Sequence, residues 1–165
     1  GKVTVPREDF IEKLRACRLA FEELGVDQGV IVARTVDAHV LGDRWQLADA
    51  ITNLVQNAIS YSDERARVTI SLAVDGEHAE VKVSDNGIGI RPEDQDRIFE
   101  RFFRVDYGRS RESGGTGLGL SIVRHIAVSH GGDIRVWSRP GQGSTFTLSL
   151  PAYLGAPDDD PEDEE

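Results

Sequence analysis

The sequence predicts a two-layer α/β (α+β) sandwich, in which a mixed, largely antiparallel sheet carries three main helices on one face. Three observations lead there. Three stretches repeat apolar residues at helical spacing. Two pairs of alternating segments are joined by glycine-containing turns. The elements run helix, strand, helix, two strands, helices, two strands. Consecutive hairpins make neighbouring strands antiparallel, and amphipathic helices then need one face of that sheet for their burial.

The elements follow in chain order. Phe10, Ile11, Leu14, Cys17, Phe21 and Leu24 recur at helical spacing, which predicts a helix from about Pro6 to Glu23 that stops at Gly25. Val30 to Ala33 is a short apolar run that reads as a buried strand. Asp43 is placed to cap a second helix, whose stripe is Leu47, Ile51, Leu54, Val55, Ala58 and Ile59. Val68, Ile70, Leu72 and Val74 recur at every second position, as do Ala79, Val81 and Val83, and Asp75-Gly76 between them signals a hairpin. Asp85-Asn86-Gly87-Ile88-Gly89 breaks the alternation. Pro92 opens a short helix reaching about Phe99. Arg104 to Gly115 is polar and without period, so it reads as a mobile loop. From Gly117, the residues Leu118, Ile122, Val123, Ile126 and Ala127 mark a third long helix that Gly131-Gly132 ends. Ile134, Val136 and Ser138, a turn at 140–143, and the alternation Thr145 to Leu150 complete a final hairpin.

A chain of 165 residues fits one domain. Its expected extent is 1–152, with 153–165 as an acidic, disordered tail. Hydrophobic residues make up 39% and charged residues 29%, too apolar and too patterned for global disorder. No apolar run approaches the roughly 20 residues of a membrane span, so no direct membrane insertion is expected. Cys17 is the single cysteine, which excludes an internal disulfide and a cysteine-built zinc site. The net charge is −10, but the last ten residues hold seven acids and no base, leaving 22 acids against 19 bases elsewhere. The acidity therefore belongs to the tail, a solubilising end or a docking segment for a basic partner, and no basic surface for nucleic acid is expected.

Four segments can carry chemistry. Asn53 and Asn57 lie one turn apart on one helix face, and an amide carbonyl oxygen suits a hard cation such as Mg²⁺. They also read as surface or capping amides. Asp85 ends a buried strand beside Gly87 and Gly89, where a carboxylate can accept from an exocyclic amine and a planar ring can approach the backbone. An ordinary strand exit has the same look. Gly114-Gly115-Thr116-Gly117-Leu118-Gly119-Leu120 precedes a helix, so its N–H groups can cradle phosphate; the alternative is a flexible hinge. It is not a P-loop, because Leu120 and Ser121 follow Gly119 where Lys and Ser or Thr are needed. Gly141-Gln142-Gly143-Ser144-Thr145-Phe146 can close a base pocket or simply turn a hairpin. His39, His78, His125 and His130 show no metal-ligand spacing. Trp45 and Trp137 read as packing or surface aromatics.

Taken in order and with these gaps, the segments resemble the catalytic ATP-binding domain of sensor histidine kinases, the GHKL or Bergerat fold also found in gyrase, MutL and the large heat-shock chaperones. Asn53-Leu54-Val55-Gln56-Asn57-Ala58 resembles the N box and Asp85 to Ile90 the first glycine box. Ile98-Phe99-Glu100-Arg101-Phe102-Phe103-Arg104 resembles the F box. Gly115 to Leu120 and Gly141 to Phe146 resemble the second and third glycine boxes. The resemblance runs from about residue 8 to 151.

The resemblance implies ATP and Mg²⁺ as cofactors. It gives Asn57 as the metal ligand, Asn53 beside the phosphates, Tyr61 against the adenine and Asp85 as acceptor of its amine. Gly87 and Gly89 would shape the base pocket, and Ser144 would support Asp85 through its hydroxyl. A lid over about 104–116, with Gly115 and Thr116, would close on ATP. Gly117, Leu118 and Gly119 would face the phosphates with main-chain N–H groups. Arg104, or Arg101 in its place, would meet the γ-phosphate. The implied activity is histidine kinase: transfer of the γ-phosphoryl to a His on a separate dimerisation domain, for relay to a response regulator. Alternatives of the same fold are a nucleotide-sensing module without transfer and an anti-sigma-type serine kinase. None of the four histidines stands in the family's phosphoacceptor context, so that domain is expected upstream of Gly1. This domain would be cytoplasmic and monomeric, and the parent protein a membrane-attached homodimer. One departure stands out: the family pattern N-A-x-K-Y-S has Ser60 at the position of its cation. Arg109 or Arg111 of the lid is the expected compensation.

Overall fold

The structure is a computed structural model and describes residues 30–34, 40–62, 67–105 and 116–153. The helix expected over 6–23, most of the lid and the acidic tail lie outside the described residues. Five strands form one sheet: β1 (Val30–Arg34), β2 (Arg67–Asp75), β3 (His78–Asp85), β4 (Asp133–Arg139) and β5 (Gly143–Pro151), in the spatial order β1-β2-β3-β5-β4. β1 runs parallel to β2 and the other pairs are antiparallel, so the sheet is mixed as the sequence predicts. Helices α1 (Arg44–Ser60) and α2 (Gly119–Ser129) lie on one face.

Alternation along the strands decides that face. Val68, Ile70, Val81, Val83, Phe146 and Leu148 are buried beneath the helices, and Thr69, Ser71, Lys82, Ser84, Thr145 and Thr147 turn to the opposite side. From α1 the core receives Leu47, Ala50, Leu54, Val55, Ala58 and Ile59, and from α2 Val123, Ile126 and Ala127. Asp43 caps α1 as its position predicts, its carboxylate accepting from the N–H groups of Trp45 (2.9 Å) and Gln46 (3.0 Å). Those bonds, the Gln46 contact foremost, hold its pKa below the ordinary value. His130 joins the two helices. Its Nε2 accepts from the Asp43 N–H (3.0 Å), and its Nδ1 donates to the Ile126 carbonyl (2.8 Å). This is a structural role.

The short helix expected from Pro92 to Phe99 is instead two single 3₁₀ turns, Pro92–Asp94 and Arg97–Phe99. Eight residues offer little return on the cost of nucleating an α-helix. Tertiary anchors also override it: Gln95 Nε2 donates to the carbonyls of Ile90 (3.1 Å) and Ser138 (3.0 Å), and Ile98 is pinned in the core. The third long helix starts at Gly119 rather than Gly117, which has a left-handed φ of 71° and ends the loop before it. Trp45 and Trp137 are surface residues, each with an arginine guanidinium over its ring.

Candidate functional site

The sheet and two helices bring four chain segments to one place, and a fifth, Ile98 to Val105, closes the side. The four are the C-terminal half of α1, the exit of β3, the start of β5 and the N-terminus of α2. Between them lies a cavity of about 610 Å³, well within the range of small-molecule sites.

The core stripe of α1 points Leu54, Val55 and Ala58 inward and so turns Asn53, Gln56, Asn57 and Ser60 towards the cavity. Asn53 Nδ2 donates to the Asp49 carbonyl (2.8 Å), which aims Oδ1 across the gap at the start of α2. A Cβ on Gly119 would stand 2.8 Å from that oxygen, so a side chain there would displace the Asn53 amide.

Asp85 sits where β3 leaves the sheet. Its Oδ1 accepts from the main-chain N–H groups of Gly87 (2.8 Å) and Ser144 (3.1 Å). Among the described residues Oδ2 has no partner, and the side chain lines the cavity. Burial raises the Asp85 pKa above the ordinary 3.8, and the two N–H groups offset part of that shift. Tyr61, at the end of α1, accepts from the Ile88 N–H through its carbonyl (3.1 Å). Gly87 packs so closely on that carbonyl that any Cβ would overlap it.

Of the residues named from the sequence, Asn53, Asn57, Tyr61, Asp85 and Gly89 line the cavity, as do Arg104, Thr116, Gly117, Gly119 and Ser144. Gly87, Leu118 and Arg101 do not line it, and Arg101 is exposed. Gly115, Arg109 and Arg111 lie outside the described residues. One detail is corrected. Ser144 holds Asp85 through its main-chain N–H, whereas its hydroxyl lies 3.0 Å from the Ser138 hydroxyl.

Several wall residues escaped the sequence reading. Gln56 lies three residues after Asn53, and that spacing was signal enough to include it. Ile90, Ile98, Phe103 and Phe146 supply the apolar lining, and their hydrophobic pattern does not differ from that of the core. Phe103 is further held by the Arg97 guanidinium, 4.4 Å from its ring centroid. The neighbouring Phe102 has a left-handed φ of 64° and donates its N–H to the Gly117 carbonyl (2.9 Å), which ties the F-box segment to the start of α2.

The cavity therefore offers a half-buried acceptor at one end, amide groups along one wall and a helix N-terminus, with apolar side chains between. A flat base bearing an exocyclic amine, joined to an anionic chain, matches that order of groups.

Comparison with known proteins agrees. The family model for histidine kinase-, DNA gyrase B- and HSP90-like ATPases matches residues 42–154. The sensor-like histidine kinase SenX3 of Mycobacterium tuberculosis is 53% identical over 141 residues, covering 84% of this chain and 34% of SenX3. The chain thus spans about a third of the length of that curated relative. Among solved structures, the mycobacterial sensor histidine kinase MprB superposes with a TM-score of 0.74 at 29% identity, covering 92% of this chain and 98% of the other. Full-length ShkA in complex with AMPPNP gives a TM-score of 0.74 at 26% identity, covering 94% of this chain and 32% of ShkA. An ordered set of nucleotide-shaped features, on a fold and sequence shared with these proteins, places the chain in the family of histidine kinase-, DNA gyrase B- and HSP90-like ATPases, as an ATP-binding domain of the sensor histidine kinase type.

Proposed function

We propose that this domain binds Mg–ATP in the cavity between α1 and α2 and passes the γ-phosphoryl to a histidine on a separate helical dimerisation domain, for relay to a response regulator. The observation that carries this reading is the convergence of Asp85, Asn57 and the Gly117–Gly119 start of α2 on one cavity. The relatives support it, since SenX3 is a sensor-like histidine kinase and ShkA was solved with an ATP analogue.

Each residue then has a task. Asp85 Oδ2 accepts the adenine amine, and its spent Oδ1 holds it in place. Tyr61 and Gly89 flank the base. The main-chain N–H groups at Gly117 and Gly119 meet the phosphates with the positive end of the α2 dipole behind them. Arg104, exposed at the cavity wall, neutralises charge on the γ-phosphoryl as it leaves. For the metal, this wall offers the amide oxygens of Asn53, Gln56 and Asn57, a hard but uncharged set. Such a set fits Mg²⁺, which takes one or two protein ligands and completes its shell with phosphate oxygens and water. When bound, the ion lowers the repulsion between phosphate oxygens and the attacking nucleophile. Asn57 is its proposed protein ligand, with Asn53 held in reserve beside the phosphates by its bond to Asp49.

We place the domain at 1–152, since β5 runs to Pro151 and Val40 bridges to Ala152, with 153–165 as an appended tail. No described helix is long and apolar enough to cross a membrane. A cytoplasmic setting and a membrane-attached, homodimeric parent remain part of the proposal.

The test is transfer in trans. Incubated with Mg–ATP and the histidine-bearing helical domain, the chain will yield a phosphorylated product that is labile in acid. An acid-stable product means transfer to a hydroxyl and contradicts the reading, as does the absence of any transfer.

Ser60 supports a gain-of-function check. It lines the cavity and is exposed, so a longer side chain there has room. Ser60→Lys adds a cation near the phosphates and will tighten ATP binding by roughly tenfold, the lower end expected of a charge-assisted bond. The gain will shrink as salt is raised. Calorimetric titration at two ionic strengths measures both effects.

A further inference from the structure

We propose that Ser138 is a positioning residue for purine recognition: its one hydroxyl orients the two peptide planes that line the base end of the cavity, and through one of them the carboxylate of Asp85. The inference rests on the adenine reading of Asp85.

Ser138 is the sixth residue of β4 and breaks that strand's inward pattern of Ile134 and Val136 with a buried hydroxyl. Three groups meet its Oγ. The Gly143 carbonyl lies at 2.9 Å, the Ile90 N–H at 2.8 Å and the Ser144 Oγ at 3.0 Å. A hydroxyl has one proton and two lone pairs. A carbonyl can only accept, so the Ser138 proton goes to Gly143. The Ile90 N–H and the Ser144 O–H are then the donors, and the valence of Ser138 Oγ is complete.

The Gly143 carbonyl and the Ser144 N–H belong to the same peptide unit. That unit is planar, so fixing its oxygen fixes the direction of its N–H. The N–H is the one that donates to Asp85 Oδ1 (3.1 Å). The second bond, from the Ile90 N–H, holds the Gly89–Ile90 peptide, and Gly89 lines the cavity. Gln95 braces the assembly from outside by donating to the carbonyls of Ile90 and Ser138 together. Removing the Ser138 hydroxyl leaves a carbonyl, an amide and a hydroxyl without their partner in a buried place. The Gly143–Ser144 plane then keeps only its ladder pairing with β4, and the N–H that donates to Asp85 is aimed less firmly.

The readout is discrimination between ATP and inosine triphosphate (ITP). The two share ribose and phosphates, and ITP carries a carbonyl oxygen where adenine has its amine. The full chain will prefer ATP by about tenfold or more, the scale of a charged hydrogen bond. In Ser138→Ala that preference will collapse towards one, because ATP affinity falls about tenfold while ITP affinity stays within about twofold. Ser138→Thr, which keeps the hydroxyl on a β-compatible side chain, will restore it. Gln95→Leu, at a half-buried position, will lower the ratio by roughly threefold in the same direction. It serves as the deciding variant should Ser138→Ala not fold. A wild-type ratio in both Ser138→Ala and Gln95→Leu, or equal losses for the two nucleotides, overturns the inference. Equal affinity of the unsubstituted chain for ATP and ITP overturns the Asp85 reading and this inference with it.

Discussion

Asn57→Ala will abolish Mg–ATP-dependent transfer to the histidine-bearing domain while leaving the fold as stable as before. Asn57 sits inside α1, and its main-chain carbonyl continues to accept from the Tyr61 N–H (3.0 Å) whatever the side chain is. Alanine is also the better helix former, so thermal melting will be unchanged or slightly raised. What disappears is the amide oxygen proposed for the metal. Charge neutralisation on a transferring phosphoryl contributes several kcal/mol, so the rate should fall on the order of a thousandfold. ATP affinity without Mg²⁺ will change little, and the extra affinity that Mg²⁺ confers will be lost. Near-normal transfer by the variant would remove Asn57 from the metal site.

The second large effect lies at the other end of the cavity and has the opposite balance, with binding lost and stability kept. In Asp85→Asn the side-chain oxygen continues to accept from Gly87 and Ser144, which leaves the new NH₂ where Oδ2 was. It then faces the adenine amine, donor against donor. Losing a charged hydrogen bond and stranding a donor weakens ATP binding on the order of a hundredfold. The nucleotide-free protein behaves differently. Burial raises the Asp85 pKa above 3.8, so the folded state favours the neutral acid and carries a cost once the group ionises. The stabilising contribution is present below the unfolded value and is lost as pH rises through the folded one. Asp85→Asn is spared that cost, and its melting temperature at neutral pH will match or exceed that of the unsubstituted chain. The difference will narrow as the pH is lowered through the Asp85 titration. A clear fall in melting temperature at neutral pH would show that the carboxylate stabilises the apo fold, contrary to its burial.

Asp43 and Asp85 show why parts of this protein can be read from its residues alone. Asp43 is a capping residue immediately before an apolar stripe of period 3.6, and the cap it makes reaches only two and three residues ahead. Asp85 follows an alternating run and precedes two glycines, so its place at a strand exit was also plain. Which of its oxygens faces the cavity was not. That depends on Ser144, 59 residues later, and on a main-chain N–H that every non-proline residue carries. The expectation of a supporting hydroxyl on Ser144 failed for this reason: a side chain can be named from a sequence, whereas a peptide group leaves no trace in it. Ser138 was placed on a strand with Ile134 and Val136, but its hydroxyl was given no task. The Pro92–Phe99 segment was misread because helical propensity was weighed without the Gln95 and Ile98 anchors that hold it.

The order of the strands and of the two described long helices, the class of the sheet and the identity of the amides, carboxylate and glycines were legible in the chain. Each follows from a period or a turn whose physics acts within a few residues. The cavity, the choice of a single Asp85 oxygen and the hydroxyl hub at Ser138 came into view with the packed molecule. They arise from groups 48 and 59 residues apart that meet when sheet and helices close on each other. Hydrogen bonds at that range are set by the directions of peptide planes after packing, and no local pattern of side chains encodes those directions.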